Sequence, residues 1–434
     1  MSATMEERIK RSHSYKVYTL YFRSRLVMFM LSLFVFHIII VSYEIFFLLY
    51  CKVKLDERML PEQNPALFEL MKGTRQINVF KMQAKLSLKW AIRRAQGIFS
   101  KLIDYILIIV FFSHKIRQGI MKYTNRYKGL VQIRSSHMPV KDANFICLIF
   151  LAMGIKSVIG EWITKSRSDV TDLLVGTLIQ LVKYLIFCPI FIWLFSSVYN
   201  KTRNGLIFAS YIAIVVLILV ANCTTIISEP LDGLEKIPAK ELGPELYREL
   251  VRMNLDEKIF WDQAAEGENA ALVRTGAARY IIVMGNLLKY GQKEFASFIA
   301  HEVGHADDSS TEKKLLATVI GLGLSCGLMV AILRIITPKF EQHDVPRFSV
   351  VLFLLLANIH IFSGLTNMFY NNLSILSEVN ADLYAKNLGF GETLASGLYK
   401  LVVDSGNLLF HSTIYTYYAQ DHPVVAARIA YLNK

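Results

Sequence analysis

Ala300-His301-Glu302-Val303-Gly304-His305 decides how the rest of this 434-residue chain is read. On a helix the two histidines stand at i and i+4, on one face, so both imidazoles can reach a single metal ion. Glu302 is turned about 100° around the axis from His301. It is therefore placed to hold a water beside the ion, and is not a natural third partner for the same pair. A zinc ion lowers the pKa of a bound water from ~16 towards ~7, and a neighbouring carboxylate can take the proton. The helix carrying these residues begins at Lys293-Glu294 after Gly291, and Phe295, Phe298, Ile299 and Val303 form an apolar face. The expectation is a buried amphipathic helix with one zinc per chain. The pattern still needs a third ligand.

That ligand is expected in Ser377-Glu378-Val379-Asn380-Ala381-Asp382. Glu378 completes a His, His, Glu set with one coordination position left open. Asp382 lies one turn further along the same face, where it can accept the second ring N–H of a ligating histidine and fix its tautomer. Near the end stand Asp421-His422-Pro423 and Arg428, a donor pair suited to the oxyanion of a tetrahedral intermediate.

The surroundings are those of a membrane protein. The chain is 53% hydrophobic and only 19% charged, with positive mean hydropathy, too apolar for an ordinary soluble enzyme. Seven spans are predicted: Leu26–Tyr50, Ile98–Phe112, Phe145–Ile163, Leu173–Val198, Leu206–Ile227, Leu315–Ile336 and Phe348–Leu373. Charges precede the first span through Arg25 and no small-residue cleavage site follows it, so a retained span is expected and not a removed signal peptide. Asp104, Lys156, Glu161 and Lys183 fall inside predicted spans, where they either face a polar interior or snorkel from helix ends.

The net charge of +13 is spread over many loops. It points to lipid headgroups as partners and away from nucleic acid. Cys51, Cys147, Cys188, Cys223 and Cys326 lie in or beside apolar segments without Cys-x-x-Cys spacing, and are expected as free thiols.

The main polar insertion is Ser228–Glu312. A helix is expected over Pro238–Met253, short apolar runs at Lys258–Trp261 and Ala270–Val273, and a strand at Tyr280–Met284. A small sheet ahead of the metal helix can bind an extended peptide along its edge. The predicted organisation is mainly α: a seven-span transmembrane helical bundle with a small α/β zinc-metalloprotease domain. Residues 1–227 carry spans one to five, 228–312 the catalytic insertion, 313–373 the last two spans, and 374–434 the C-terminal catalytic helices.

Four stretches occur in a telling order: Asn269-Ala270; His301-Glu302-Val303-Gly304-His305; Asn371-x-x-Ser374-x-x-x-Glu378-x-x-Ala381-Asp382; and His422-Pro423 with Arg428. In these the chain resembles the type I CaaX prenyl protease family, the Ste-type integral membrane zinc metalloproteases of the endoplasmic reticulum and inner nuclear envelope. The resemblance implies that His301, His305 and Glu378 bind zinc and that Glu302 is the general base. It further implies that His422 and Arg428 contact the scissile carbonyl region, and that Asn269-Ala270 pair with substrate. The implied substrates are prenylated CaaX proteins, which lose their last three residues and in some cases are cut again upstream. It also implies a water-filled chamber within seven helices and a cytosolic catalytic side. Ala306, Ile375 and Ala271-Leu272 depart from the residues usual in the family, which bears on substrate preference and not on the metal set.

Two other readings are open at this point. A membrane quality-control protease of the related stress-protease group has fewer spans and needs no prenyl group on its substrate. A non-enzymatic carrier would hold no zinc and ignore a chelator.

Overall fold

A computed structural model describes residues 28–50, 64–73, 79–112, 140–164, 170–202, 205–224, 234–275, 278–341 and 363–434, with isolated positions between them. The apolar runs form α1 (Met28–Tyr50), α2 (Pro65–Gly73), α3 (Val79–Phe112), α4 (Val140–Thr164), α5 (Val170–Val182), α6 (Cys188–Thr202) and α7 (Gly205–Thr224). The polar insertion supplies β1 (Glu235–Lys236), α8 (Pro244–Arg252), β2 (Ile259–Asp262), β3 (Asn269–Thr275), β4 (Ala278–Met284) and α9 (Gln292–Asp307). Then come α10 (Ser310–Glu341), α11 (Ser363–Ala385), α12 (Gly391–Asp404), α13 (Thr413–Ala419) and α14 (Val425–Leu432).

Among the described residues two helical stretches, Met28–Tyr50 and Glu312–Arg334, are long and apolar enough to cross a membrane, and Cys147–Gly160 and Leu173–Val182 are shorter apolar stretches. The seventh predicted span falls outside the described residues up to position 363, apart from positions 351 and 354, and its final turns belong to α11. The second predicted span is the last part of a single 34-residue helix, α3.

The chain divides into two compact units, residues 1–39, 95–211 and 323–363, and residues 40–94, 212–322 and 364–434. In the first unit α4 and α5 pack closely: a side chain at Gly176 would meet Val158, and one at Gly154 would meet Gln180. Asp104, only 2% exposed, pairs with Lys156 at 2.5 Å. These two charges therefore neutralise each other inside the unit, whereas Lys183 is exposed. Cys147 is buried and Cys326 half-buried.

The second unit holds a four-stranded sheet in the order β1-β2-β4-β3. β2 runs parallel to β4, and β3 pairs antiparallel with β4 from Asn269↔Met284 to Thr275↔Ala278, which leaves β3 at the edge. The predicted helix over Pro238–Met253 is broken at Gly243, whose φ of 100° no other residue adopts without strain. Pro244 then opens α8, where a missing N–H costs nothing. Leu246 and Leu250, at i and i+4, are fully buried in one core with Ile259, Ile281, Phe295, Ile299, Leu394 and Ile429. That core fixes α9 against the sheet on one side and against α12 on the other, with α14 packed on α12. Gly397 permits the second contact, since a Cβ there would stand 2.8 Å from the Phe298 ring.

Candidate active site

α9 and α11 cross at Gly304. A Cβ at this position would lie 2.7 Å from Ala381 Cα and 2.9 Å from Ala381 O, so only hydrogen lets the two backbones come this close. The crossing brings Glu378, one turn before Ala381, to His301 and His305. His301 Nε2 is 3.4 Å from Glu378 Oε2, and His305 Nε2 is 3.3 Å from Glu378 Oε1. Atoms at the corners of a tetrahedron with bonds of about 2.1 Å stand about 3.4 Å apart, so these spacings are those of ligands awaiting a common ion. Ligand atoms of His301, Glu302 and His305 also lie within 4.8 Å of one another.

Glu302 is nonetheless held differently from Glu378. Its Oε2 accepts the backbone N–H of Leu272 in the edge strand at 2.6 Å, which leaves Oε1 as its second acceptor. Glu302, Glu378 and Asp382 are all buried, as is Arg428. Two imidazoles and a carboxylate are a donor set suited to zinc. The residues present therefore fit such an ion.

Around this set is a layer that orients it. Asp382, completely buried, lies 2.9 Å from His301 Nδ1. That ring nitrogen has no well-aligned hydrogen bond, so the contact is one of charge proximity. Arg428 clamps Asp382 with two bonds, Nε to Oδ2 at 2.7 Å and Nη2 to Oδ1 at 2.6 Å. Tyr431 adds its hydroxyl to Asp382 Oδ2. Burial alone would raise the Asp382 carboxyl; Arg428 and His301 outweigh it and hold it well below the usual range. Burial likewise works against ionised Glu378, yet the two imidazoles and Arg428 keep it strongly lowered. His301 would be pushed down by burial, but Asp382 and Glu378 carry it up to about 9.

The sequence pairs His422 with Arg428 as joint oxyanion donors, and the structure gives them different surroundings. Arg428 is buried, with Nε and Nη2 committed to Asp382; its Nη1 is 3.7 Å from Glu378. The physical reason is that a buried aspartate needs a bidentate counter-ion. His422 is exposed. Its Nδ1 is 2.9 Å from Asp421 and its Nε2 is 3.6 Å from Glu378 Oε1. Asp421 raises the His422 pKa, favouring a ring that donates.

Asn269 and Ala270 open β3 as expected, and the Asn269 Oδ1 accepts the Ala270 N–H at 3.0 Å. His301, Glu302, His305, Glu378, His422, Arg428, Asn269 and Ala270 line one cavity of about 580 Å³, together with apolar side chains that include Leu287, Phe298, Leu398 and Leu401. Gly304 and Tyr431 are the contributors that sequence reasoning passes over. The glycine at the fourth position of His301-Glu302-Val303-Gly304-His305 was the available hint for the first.

A mainly helical fold with a small sheet and a His, His, Glu cluster at its cleft is the class this geometry defines, and residues 260–434 match peptidase family M48. The chain is 28% identical over 155 residues to "Probable CAAX prenyl protease 1" of Schizosaccharomyces pombe, covering 34% of this chain and 32% of the relative. It is 27% identical over 139 residues to "CAAX prenyl protease 1 homolog" of Caenorhabditis elegans, covering 32% and 31%. The matched stretches thus span about a third of these relatives' lengths. The crystal structure of S. mikatae Ste24p has the same fold, with a TM-score of 0.56 at 18% identity, covering 93% of this chain and 99% of that one. Over these stretches the chain is similar to type I CaaX prenyl proteases.

Proposed function

We propose that the chain is an integral membrane zinc metalloendopeptidase that removes the C-terminal tripeptide from prenylated CaaX proteins. The observation that carries this is the convergence of His301, His305 and Glu378 at 3.3–3.4 Å, beside a sheet edge, in a chain related to CaaX prenyl proteases. A zinc ion bound there supplies an acidified water and polarises a carbonyl. The chain's own groups do the rest. Glu302 takes a proton from water at Oε1 and returns it to the leaving amine. His422 donates Nε2–H to the carbonyl oxygen as it becomes negative. Asp382, held by Arg428 and Tyr431, keeps His301 turned so that Nε2 faces the site. β3 lays the substrate backbone extended across the cleft. The apolar cavity wall excludes water and accepts aliphatic side chains.

The same reading places the chain in the endoplasmic reticulum membrane and the inner nuclear membrane, with seven spans. The test is cleavage by the purified full-length protein of a farnesylated CaaX peptide and of its unprenylated twin. Release of the tripeptide from the first, lost on chelation and restored by zinc, is the expected result. Equal cleavage of both would instead favour a quality-control protease. Failure to cut either, with zinc bound, would refute the proposal.

A further inference from the structure

Glu44 is the only Asp, Glu, Lys or Arg in the apolar helix α1, and it is fully buried. An ionisable group so placed is retained for a partner or a task. Its partner is His411: Nδ1 stands 2.8 Å from Glu44 Oε1. The second oxygen accepts the N–H of Ser412 at 2.9 Å. A carboxylate only accepts, so Nδ1 carries the proton, and Nε2 makes no hydrogen bond to any described residue.

His411 also lines the cavity that contains His301, Glu302, His305 and Glu378, next to Trp90, Asn407 and Leu408. Behind the Trp90 ring lies the Arg94 guanidinium, 4.9 Å from its centroid and 4.4 Å from that of Tyr415. The buried Nε of Arg94 has no hydrogen-bond partner among the described residues. One part of the cavity thus holds the metal ligands, and another is lined by a histidine held by a buried carboxylate, beside a tryptophan that carries an arginine on its ring.

We infer that His411, backed by Glu44, binds the C-terminal carboxylate of the substrate chain through its Nε2. This rests on the proteolytic reading above and adds the end-group that is recognised. Glu44 holds the Nδ1 edge of the ring, which turns the Nε2 edge, a donor when it carries a proton, to the chain end. Arg94 adds positive potential through the aromatic wall. A cleft with an anion-binding wall at a set distance from its scissile position counts residues back from the chain end, which is how a fixed-length fragment is released.

The test uses the zinc-loaded full-length protein in lipid nanodiscs. Two prenylated peptides of identical sequence are compared, one ending in a free carboxylate and one in a carboxamide. The wild-type protein is expected to prefer the acid about tenfold in kcat/KM, through KM, as befits one charge-assisted hydrogen bond. In His411→Gln the acid-to-amide ratio falls towards one, and Glu44→Gln moves it the same way. A purely structural role for the pair would slow both peptides alike and leave the ratio where it was, which overturns the inference. A wild-type ratio of one overturns it too, without any variant. Failure of the zinc-loaded wild type to cut either peptide refutes the proteolytic reading, and this inference with it.

Discussion

Replacing Gly304 with alanine tests the helix crossing on which the metal set depends. The new methyl would sit 2.7 Å from Ala381 Cα, 2.9 Å from Ala381 O and 3.0 Å from Tyr384 Cβ. An unstrained carbon–carbon contact is about 3.7 Å, so α9 and α11 must part locally by about 1 Å. Glu378 is less than one turn from the contact and moves with its helix. A ligand set tolerates errors of about 0.2 Å, and a 1 Å displacement at a reacting centre can cost about a hundredfold. Stability should respond much less. Alanine gains about 1 kcal/mol over glycine in a helix interior, against an overpacking cost of about 1–3 kcal/mol. The expected signature is therefore a split: zinc affinity and kcat/KM down by about a hundredfold, and stability lowered by no more than about 2 kcal/mol. Zinc content at buffered free metal, peptide cleavage and thermal unfolding of the same preparation read all three. A Gly304→Ala protein that keeps its zinc and its rate while unfolding at a higher temperature would show that the close crossing does not set the ligand spacing.

Further substitutions separate the roles of neighbouring groups. Glu302→Gln should retain zinc yet lose about a thousandfold in kcat, since the proton acceptor is gone while both imidazoles and Glu378 remain; retained turnover would move the base elsewhere. Arg428→Met strips Asp382 of its bidentate partner in a buried place and should lower stability by about 3–5 kcal/mol. It should also weaken zinc binding about 10–100-fold, measured by competition with a chelator. His422→Ala should keep the metal and the fold but slow kcat by about a hundredfold, which steady-state kinetics beside metal analysis would show. Tyr431→Phe removes one of three bonds to Asp382 and should cost about 1 kcal/mol in denaturant unfolding.

Local spacing made much of the site legible. His301 and His305 announce themselves because helical periodicity alone puts them on one face, and Glu378 with Asp382 repeats the device two helices later. The helical bundle follows from apolar runs in the same way. Other features have no local signature. Gly304 stands out as a glycine inside the motif, but that Ala381 lies opposite it has no signature near residue 304. Arg428 reads as a donor near His422, and its clamp on buried Asp382 has no signature in that spacing. Glu44 is hidden in an apolar run, and the groups that explain it are more than 360 residues away. The sheet was only half visible: Tyr280–Met284 alternates too little with polar residues, being buried between β2 and β3, to predict its partners or their directions.

The capped edge of β3 carries a consequence of its own. Ala270 and Leu272 stand two apart and so offer their N–H groups on one side, and both are already engaged, by Asn269 and by Glu302. A polypeptide drifting past finds few vacant handholds on the strand, so casual adhesion is discouraged. A genuine guest must displace the glutamate to lie down, and in doing so it frees a second oxygen on a side chain that stands beside the two imidazoles.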